Sequence, residues 1–163
     1  MKRVKSSFHL DEKCLKESKN KNIKLDPQKL IQKAYKDVSD YGSSTAWVWT
    51  LDGRNLKIAN IGDSTLVVIR FFPDQKSWKI VLKTEEQQHN FNAPFQLDNI
   101  PSNLRSMREN AGNHSAKRKF WKDKVSDSVL YQTNVREGDI LIAGTDGLFD
   151  NLYVKEIVNI VEI

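Results

Sequence analysis

Residues 138–150 read GDILIAGTDGLFD, and this stretch governs how the rest of the chain is interpreted. Its apolar part, residues 140–143, is short and bounded by turn residues, which is typical of a buried strand covered on both faces. Glycines then flank Thr145 and Asp146, and glycine allows backbone conformations that bring a neighbouring carboxylate close to a ligand. The pattern predicts a strand that ends at an acidic loop.

Asp146 is the first candidate functional residue. Carboxylate oxygens suit hard cations such as Mg²⁺ and Mn²⁺, and an aspartate at the end of a buried strand can present them rigidly. The alternative is a tight turn in which Asp146 accepts hydrogen bonds from nearby backbone N–H groups, since Asp and Gly dominate turns. The residues alone leave both interpretations open.

Composition limits the classes of protein to which the chain can belong. The 163 residues are 39% hydrophobic and 29% charged, which is typical of one globular domain rather than a disordered chain. No apolar run approaches the ~20 residues of a membrane span, and no N-terminal apolar segment resembles a secretory signal. The single Cys14 excludes an internal disulfide and a multi-cysteine zinc site, so we expect an intracellular protein.

The net charge of +5 is concentrated in two basic stretches. Residues 1–25 carry eight basic and three acidic side chains, and residues 102–124 carry seven and two. Such stretches can bind nucleic acid or anionic lipid, but few aromatic residues alternate with the charges as stacking platforms for bases would require. We therefore favour solvated loops, with 1–25 as a poorly ordered leader and 99–125 as a surface insertion in a domain that spans 26–163.

Periodicity predicts a helix near each end of this domain. Asp26 is a suitable N-cap, and Pro27 fits the first helical position because its missing N–H is not needed there. Apolar residues then recur at three- and four-residue spacing as far as Tyr41, and Gly42 is expected to end the helix. A second helix with one apolar face is predicted in residues 152–163.

Between the helices, short apolar, β-branched and aromatic runs alternate with turn residues. Four such strands, spanning residues 47–83, are joined by tight turns and predict an antiparallel meander. Residues 85–97 differ, because amides, two Phe and His89 occur together and Pro94 breaks any helix. We interpret His89 as part of a packed, hydrogen-bonded loop, since no second His or Cys stands at metal-ligand spacing. A further strand is predicted at 129–135.

Three segments resemble, in chain order, the motifs of metal-dependent type 2C protein serine/threonine phosphatases. Residues 42–46 (GSSTA) are similar to the family's GS(S)TA motif, residues 60–64 (NIGDS) to its N-x-GDS turn, and residues 145–151 (TDGLFDN) to its acidic metal loop. Residues 86–97 resemble the branch that includes mitochondrial members, so the expected compartment is the cytoplasm or the mitochondrion. The resemblance covers about residues 26–162.

The resemblance implies an α+β fold, namely part of a four-layer α/β/β/α sandwich with mostly antiparallel sheets. It also implies hydrolysis of a phosphoprotein substrate by water activated at a centre of two or more Mg²⁺ or Mn²⁺ ions. Asp146 matches a family ligand of that centre, and Asp63 matches a position linked to an additional, weaker metal. Thr145, Gly147 and Asp150 form the supporting loop, with capping of the following helix as the alternative role for Asp150. No catalytic residue beyond these ligands is implied.

The chain departs from the family pattern in two places. No D-G-x-G-G segment, whose aspartate contacts both metals in the family, occurs before Gly42, and no G-x-x-D-N motif follows the acidic loop. One firm carboxylate cannot hold two divalent ions, each of which needs several oxygen ligands. We therefore expect either part of a longer phosphatase or a relative that has lost catalysis and binds partners through the same surface. A basic module that binds nucleic acid or membrane is the third alternative.

Overall fold

The structure is a computed structural model that describes residues 25–104 and 121–161. The helices that lie wholly within the described residues are α1 (Pro27–Lys36), α2 (Asp146–Phe149) and α3 (Val154–Val161). Its strands are β1 (Gly42–Ser44), β2 (Ala46–Asp52), β3 (Asn55–Ile61), β4 (Thr65–Phe72), β5 (Ser77–Lys83), β6 (Gln88–Asn90), β7 (Ala93–Pro94), β8 (Leu97–Asn99), β9 (Val129–Asn134) and β10 (Ile140–Gly144). Short 3₁₀ turns occupy Pro73–Gln75 and Val125–Asp127.

Two three-stranded antiparallel sheets form the centre of the fold, one with the order β2-β3-β9 and the other with the order β10-β4-β5. Their facing sides share a core of Leu56, Ile58, Leu66, Val68 and Val135. Helix α1 covers the outer face of the first sheet through Ile31, and α3 covers the outer face of the second through Val158. The layers therefore follow the order α/β/β/α, which confirms the predicted fold class.

Helix α1 begins as predicted and ends earlier. The Asp26 carboxylate accepts hydrogen bonds from two backbone N–H groups of the first turn, which satisfies donors that have no intrahelical partner. The predicted end at Gly42 is wrong, because the helix stops at Lys36 and Tyr41 is 72% exposed. The amide of Asn99 donates to the carbonyls of Val38 and Asp40, and this contact holds the following residues outside a helix.

The predicted four-strand meander is also wrong at its centre. Strands β2 and β3 form a hairpin, and so do β4 and β5, but β3 and β4 lie in different sheets. Residues 62–64 therefore carry the chain from one sheet to the other rather than closing a hairpin. This crossing is stable because both strands gain a different neighbour, β9 for β3 and β10 for β4.

The strand predicted at residues 140–143 is β10, which pairs with the buried strand β4. Ile140 and Ile142 pack toward α3, whereas Leu141 packs into the core between the sheets. Both faces are covered, as the apolar run predicts. Its side chains are only half-buried because, among the described residues, β10 is at an edge of its sheet.

The predicted leader lies outside the described residues apart from Leu25, and so does the 105–120 part of the basic stretch. Residues 121–125 return to the domain, where Val125 is buried in the core beneath α1. None of the helices in the described part of the chain has the length and apolarity that crossing a membrane requires.

Candidate metal site

The register between β10 and β4 brings two of the predicted site residues together. Gly144, the last residue of β10, pairs with Thr65, the first residue of β4. Because the strands are antiparallel, Asp146 two residues beyond Gly144 and Asp63 two residues before Thr65 leave the sheet at the same end. Sequence spacing alone could not establish this proximity, since the two aspartates are far apart in the chain.

Asp146 lies in the first turn of α2, which folds back over the end of β10. A Cβ atom on Gly144 would stand 2.8 Å from Leu148 Cδ2 and 3.0 Å from its Cβ, so a larger residue at this position would push α2 away. Asp146 is exposed, and its Oδ1 accepts a hydrogen bond of 2.7 Å from the N–H of Gly147. The turn interpretation and the ligand interpretation are therefore compatible, because one carboxylate oxygen bonds to the loop while the side chain stays accessible.

The supporting residues occupy the same loop. Thr145 precedes the first residue of α2 and accepts the N–H of Leu148 through its carbonyl, at 3.0 Å. Asp150 ends α2, and its N–H donates to the carbonyl of Asp146 at 2.8 Å. Asp150 is not the N-cap of the following helix, because α3 begins four residues later. Its exposed carboxylate instead lies near enough to Asp63 to affect the ionisation of that residue.

Asp63 is half-buried, and its environment resists a negative charge. Burial is the largest cause that raises the pKa of Asp63, a hydrogen bond from its own backbone lowers it, and the charges of Asp146 and Asp150 raise it further. The net direction is upward. Asp146 and Asp150 therefore lie near enough to Asp63 for their charges to act on it, and a cation bound there would relieve this repulsion.

The ligand set supplied by the described residues is incomplete. Within residues 25–104 and 121–161, no group of three or more His, Cys, Asp or Glu side chains is arranged closely enough to hold a metal ion. The oxygen chemistry of the three aspartates fits Mg²⁺ or Mn²⁺, but their number and spacing do not complete the coordination shell of either ion.

The residues on either side of Asp63 bring the NIGDS turn into contact with the GSSTA segment. Gly62 has a φ of +105°, and a Cβ atom there would lie 2.4 Å from Thr45 Cγ2 and 2.8 Å from the carbonyl oxygen of Phe95. On the other side of Asp63, the hydroxyls of Ser64 and Thr45 share a hydrogen bond of 3.3 Å. The GSSTA segment therefore packs directly against the turn that carries Asp63, which explains the need for small residues in both.

Residues 85–97 form the packed, hydrogen-bonded segment that was predicted, with β6 and β7 as a short hairpin. The ring of His89 stacks between Phe95 and Trp121, at centroid distances of 3.9 Å and 4.3 Å. Its Nε2 lies 2.8 Å from Oδ1 of Asp123. Sequence reasoning missed Trp121 and Asp123, because they belong to the stretch assigned to the basic insertion and carry no local signal of this contact.

Comparison with known proteins places these features in a family. No protein-family model matches the chain. "Probable protein phosphatase 2C 80" of Arabidopsis thaliana is 31% identical over 145 residues, which are 89% of this chain and 29% of that protein. "Protein phosphatase 2C homolog 7, mitochondrial" of Saccharomyces cerevisiae is 33% identical over 151 residues, which are 88% of this chain and 40% of the yeast protein. The chain thus spans less than half the length of either relative.

A solved structure agrees with these relatives. The X-ray structure of the photosystem II phosphatase PBCP superimposes with a TM-score of 0.66 at 28% sequence identity, and the match covers 92% of this chain and 49% of that one. Sequence similarity and structural similarity thus point to the same class of enzymes. The four-layer fold and the GSSTA, NIGDS and TDGLFDN segments agree with both. The chain belongs to the type 2C protein phosphatase family.

Proposed function

We propose that this protein is a metal-dependent protein serine/threonine phosphatase and that the chain supplies Asp146 and Asp63 to its Mg²⁺ or Mn²⁺ site. Thr145, Gly147 and Asp150 form the loop that supports Asp146. The substrate is a phosphoprotein, from which a phosphoryl group is removed by hydrolysis. The observation that carries the proposal is the pairing of β10 with β4, which gathers the acidic residues of two motifs at one sheet end.

The donor chemistry supports a hard divalent cation. Carboxylates are oxygen ligands of the type that Mg²⁺ and Mn²⁺ prefer, and the site contains neither a described cysteine nor a described histidine that would favour a softer metal. When bound, such cations lower the pKa of a coordinated water and neutralise charge on phosphoryl oxygens. Asp146 and Asp63 would provide only part of the ligand set, so further oxygens from water or protein are needed.

The two aspartates have different parts in this site. Asp63 is half-buried and held in a tight turn, so its position is fixed while its negative charge is poorly compensated. Asp146 is exposed at the start of α2, where it can meet both a cation and an incoming phosphate-bearing substrate. Backbone N–H groups at 146–148 are too few and the helix too short for phosphate binding by themselves, which leaves charge neutralisation to the cation.

We further propose an intracellular location, in the cytoplasm or in the mitochondrion. The single cysteine supports a reducing compartment, and the name of the yeast relative includes the word mitochondrial. Expression of a tagged full-length protein, followed by fractionation, distinguishes the two compartments. Recovery of the protein from the culture medium would contradict the intracellular assignment.

Manganese binding tests the site. We expect the 163-residue chain to bind Mn²⁺ weakly, and Asp146→Asn to weaken that binding about tenfold or more, because a direct ligand is lost. Asp74→Asn is the matched control, since Asp74 is an exposed aspartate beyond the opposite end of β4. Calorimetric titration gives the affinities. Equal affinity in the wild type, Asp146→Asn and Asp74→Asn would contradict the assignment of Asp146.

Phosphopeptide hydrolysis tests the activity. With an incomplete ligand set, we expect the 163-residue chain to hydrolyse a phosphothreonine peptide near the background rate even with saturating Mn²⁺. A chain extended by the two acidic motifs that the 163 residues lack is expected to show Mn²⁺-dependent hydrolysis that Asp146→Asn abolishes and Asp74→Asn leaves unchanged. An extended chain that binds Mn²⁺ and lacks hydrolysis would instead identify a non-catalytic relative.

A further inference from the structure

Gln87 contacts the residue that precedes Asp63 through both its backbone and its side chain. The N–H of Gln87 donates to the carbonyl of Gly62 at 2.9 Å, and Oε1 of Gln87 accepts the N–H of Gly62 at 3.4 Å. Both hydrogen-bonding groups of the Gly62 backbone are thus bonded to one residue. The contact joins positions 25 residues apart, and neither the sequence pattern nor the family resemblance indicates it.

The other polar groups of Gln87 hold it in place. Its Nε2 donates to the carbonyl of Asp127 at 2.8 Å, and its own carbonyl accepts the N–H of Phe95 at 3.0 Å. Each hydrogen-bonding group of Gln87 therefore has a described partner, and these partners lie in three separate segments. A side chain whose two ends are both bonded cannot rotate without losing at least one hydrogen bond.

The hairpin that follows Gln87 is fixed at its far side as well. His89 stacks between Phe95 and Trp121, and Asp123 bonds both to His89 Nε2 and to the N–H of Gln96, each at 2.8 Å. Gln87 thus extends from a clamped hairpin toward Gly62. A side chain on a rigid segment can hold its hydrogen-bond partner in a defined position, whereas the same side chain on a mobile loop could not.

Gly62 directly precedes Asp63, so the backbone conformation of Gly62 affects where the Asp63 side chain lies. Its φ of +105° and its close approach to Thr45 leave room for no Cβ, so this position requires glycine. The amide of Asn60 also donates to the Gly62 carbonyl, at 3.3 Å. Only Gln87, however, bonds to both the N–H and the carbonyl of Gly62 among the described contacts.

We propose that Gln87 is a positioning residue of the cation site: by bonding to both backbone groups of Gly62, it sets the direction in which Asp63 presents its carboxylate. The inference rests on the proposed function, because it assigns Gln87 a part in a site whose cation is itself proposed. Gln87 contacts neither the cation nor the substrate; it acts through Gly62 on Asp63.

A double-mutant cycle on Mn²⁺ affinity tests this role. We expect Gln87→Met to weaken Mn²⁺ binding about tenfold when Asp63 is present and by less than about twofold in the Asp63→Asn background, because positioning has no effect once the positioned ligand is gone. Gln88→Met is the matched control, since Gln88 is the exposed neighbour whose amide bonds only to Glu86 among the described contacts. A general structural role of Gln87 would instead give the same loss in both backgrounds.

A second variant and a metal-free measurement keep the test decisive if Gln87→Met does not fold. Gln87→Asn is too short to reach both Gly62 and Asp127 but keeps a polar side chain, and we expect it to show the same coupling at smaller size. Hydrogen exchange of the Gly62 backbone N–H, measured without metal, should be faster in Gln87→Asn and unchanged in Gln88→Met. Unaltered exchange, or equal losses of affinity with and without Asp63, would overturn the inference while leaving the cation site intact. Failure of the wild-type chain to bind any Mn²⁺ would instead overturn the proposed function, and the inference with it.

Discussion

Arg70 on β4 and Asp139, the residue before β10, form a bidentate ion pair at the end of the sheet opposite Asp63. Nε and Nη2 of Arg70 donate to Oδ1 and Oδ2 of Asp139, each at 2.7 Å, and the Asp139 side chain is only 1% exposed. Nη2 also donates to the carbonyl of Asn134 at the end of β9. The pair therefore ties together strands of both sheets and helps to fix the register on which the candidate site depends.

Replacing Arg70 by Met should destabilise the domain strongly. The change leaves the Asp139 carboxylate buried without its charged partner, and such losses cost roughly 3 kcal/mol. Lys83→Met on the neighbouring strand β5 is the control, because Lys83 is exposed, and its cost should stay within about 0.5 kcal/mol. Urea denaturation of the two variants measures both values. Similar small losses in the two variants would show that the pair contributes no more than a surface charge.

The same pair predicts how stability depends on pH. The hydrogen bonds from Arg70 are the largest cause that lowers the pKa of Asp139, against the opposing effect of burial. A carboxyl group whose pKa is lower in the folded state contributes stability above its unfolded pKa, near 3.9, and loses it as the pH falls through the folded value. In Arg70→Met burial acts on Asp139 without the opposing hydrogen bonds, so the pKa of Asp139 is higher in the variant than in the wild type. The stability difference between the two proteins should thus be constant from about pH 7 to 8 and shrink as the pH falls into the acidic range. A difference that changes between pH 7 and 8 would contradict this assignment.

Gly62→Ala should destabilise the chain more than the same change at the other described glycines with a positive φ, Gly53 and Gly138. The new Cβ would overlap Thr45 and the Phe95 carbonyl, in addition to the strain of a left-handed backbone. Gly138→Ala isolates that strain, because Gly138 has a φ of +87° and nothing within 4 Å of the added Cβ. We expect about 1–2 kcal/mol for Gly138→Ala and at least about 2 kcal/mol more for Gly62→Ala. Chemical denaturation of both variants makes the comparison, and equal losses would mean that the packing around Gly62 relaxes freely.

The local features of this fold could be predicted from sequence because local interactions determine them. The start of α1 depends on Asp26 and Pro27, and the residues that cap it are adjacent in the chain. Strand β10 is recognisable because Ile140 and Ile142 on one face and Leu141 on the other are all apolar, which suits a strand covered on both sides. The acidic loop after it follows directly from glycine and aspartate in the next positions.

The features that were predicted wrongly depend on contacts between distant residues. Residues 62–64 look like a hairpin turn, but β3 and β4 separate because β9 and β10, which come much later in the chain, pair with them. The end of α1 depends likewise on Asn99, whose amide donates hydrogen bonds to the carbonyls of Val38 and Asp40. Neither partner can be identified from local periodicity, which describes one face of one element and not its neighbour.

The candidate site shows the same division. The resemblance selects Asp63 and Asp146 by motif, and the structure brings them to one sheet end through the pairing of Gly144 with Thr65. Gln87 lies in residues 86–97, whose resemblance to one branch of the family does not indicate its contact with Gly62, and Asp123 belongs to no recognised motif. Their contacts span 25 and 34 residues of sequence, so they become apparent only when the folded chain is described.

The metal-free chain should become more stable when Asp63 is replaced by Asn. Burial, followed by the charges of Asp146 and Asp150, raises the pKa of Asp63 against the effect of its backbone hydrogen bond. A carboxyl group with a raised folded pKa contributes stability below its unfolded pKa and loses that contribution as the pH rises through the folded value. At pH 7 the ionised Asp63 therefore opposes folding, and Asn removes that cost. We expect a gain of about 0.5 kcal/mol, kept small because solvent screens a half-exposed carboxylate.

The stability gain from Asp63→Asn should depend on pH and on Mn²⁺, whereas a gain from better packing would depend on neither. Below about pH 3 the gain should vanish, since Asp63 is then protonated in both folded and unfolded states. Saturating Mn²⁺ should reverse the order at pH 7, because a ligand that binds only the folded state stabilises the wild type more than the variant that lost a donor. Urea denaturation at the two pH values, with EDTA or with Mn²⁺, measures each effect. An Asp63→Asn variant that is less stable than the wild type in EDTA at pH 7 would show that the carboxylate is needed for the turn itself rather than reserved for a cation.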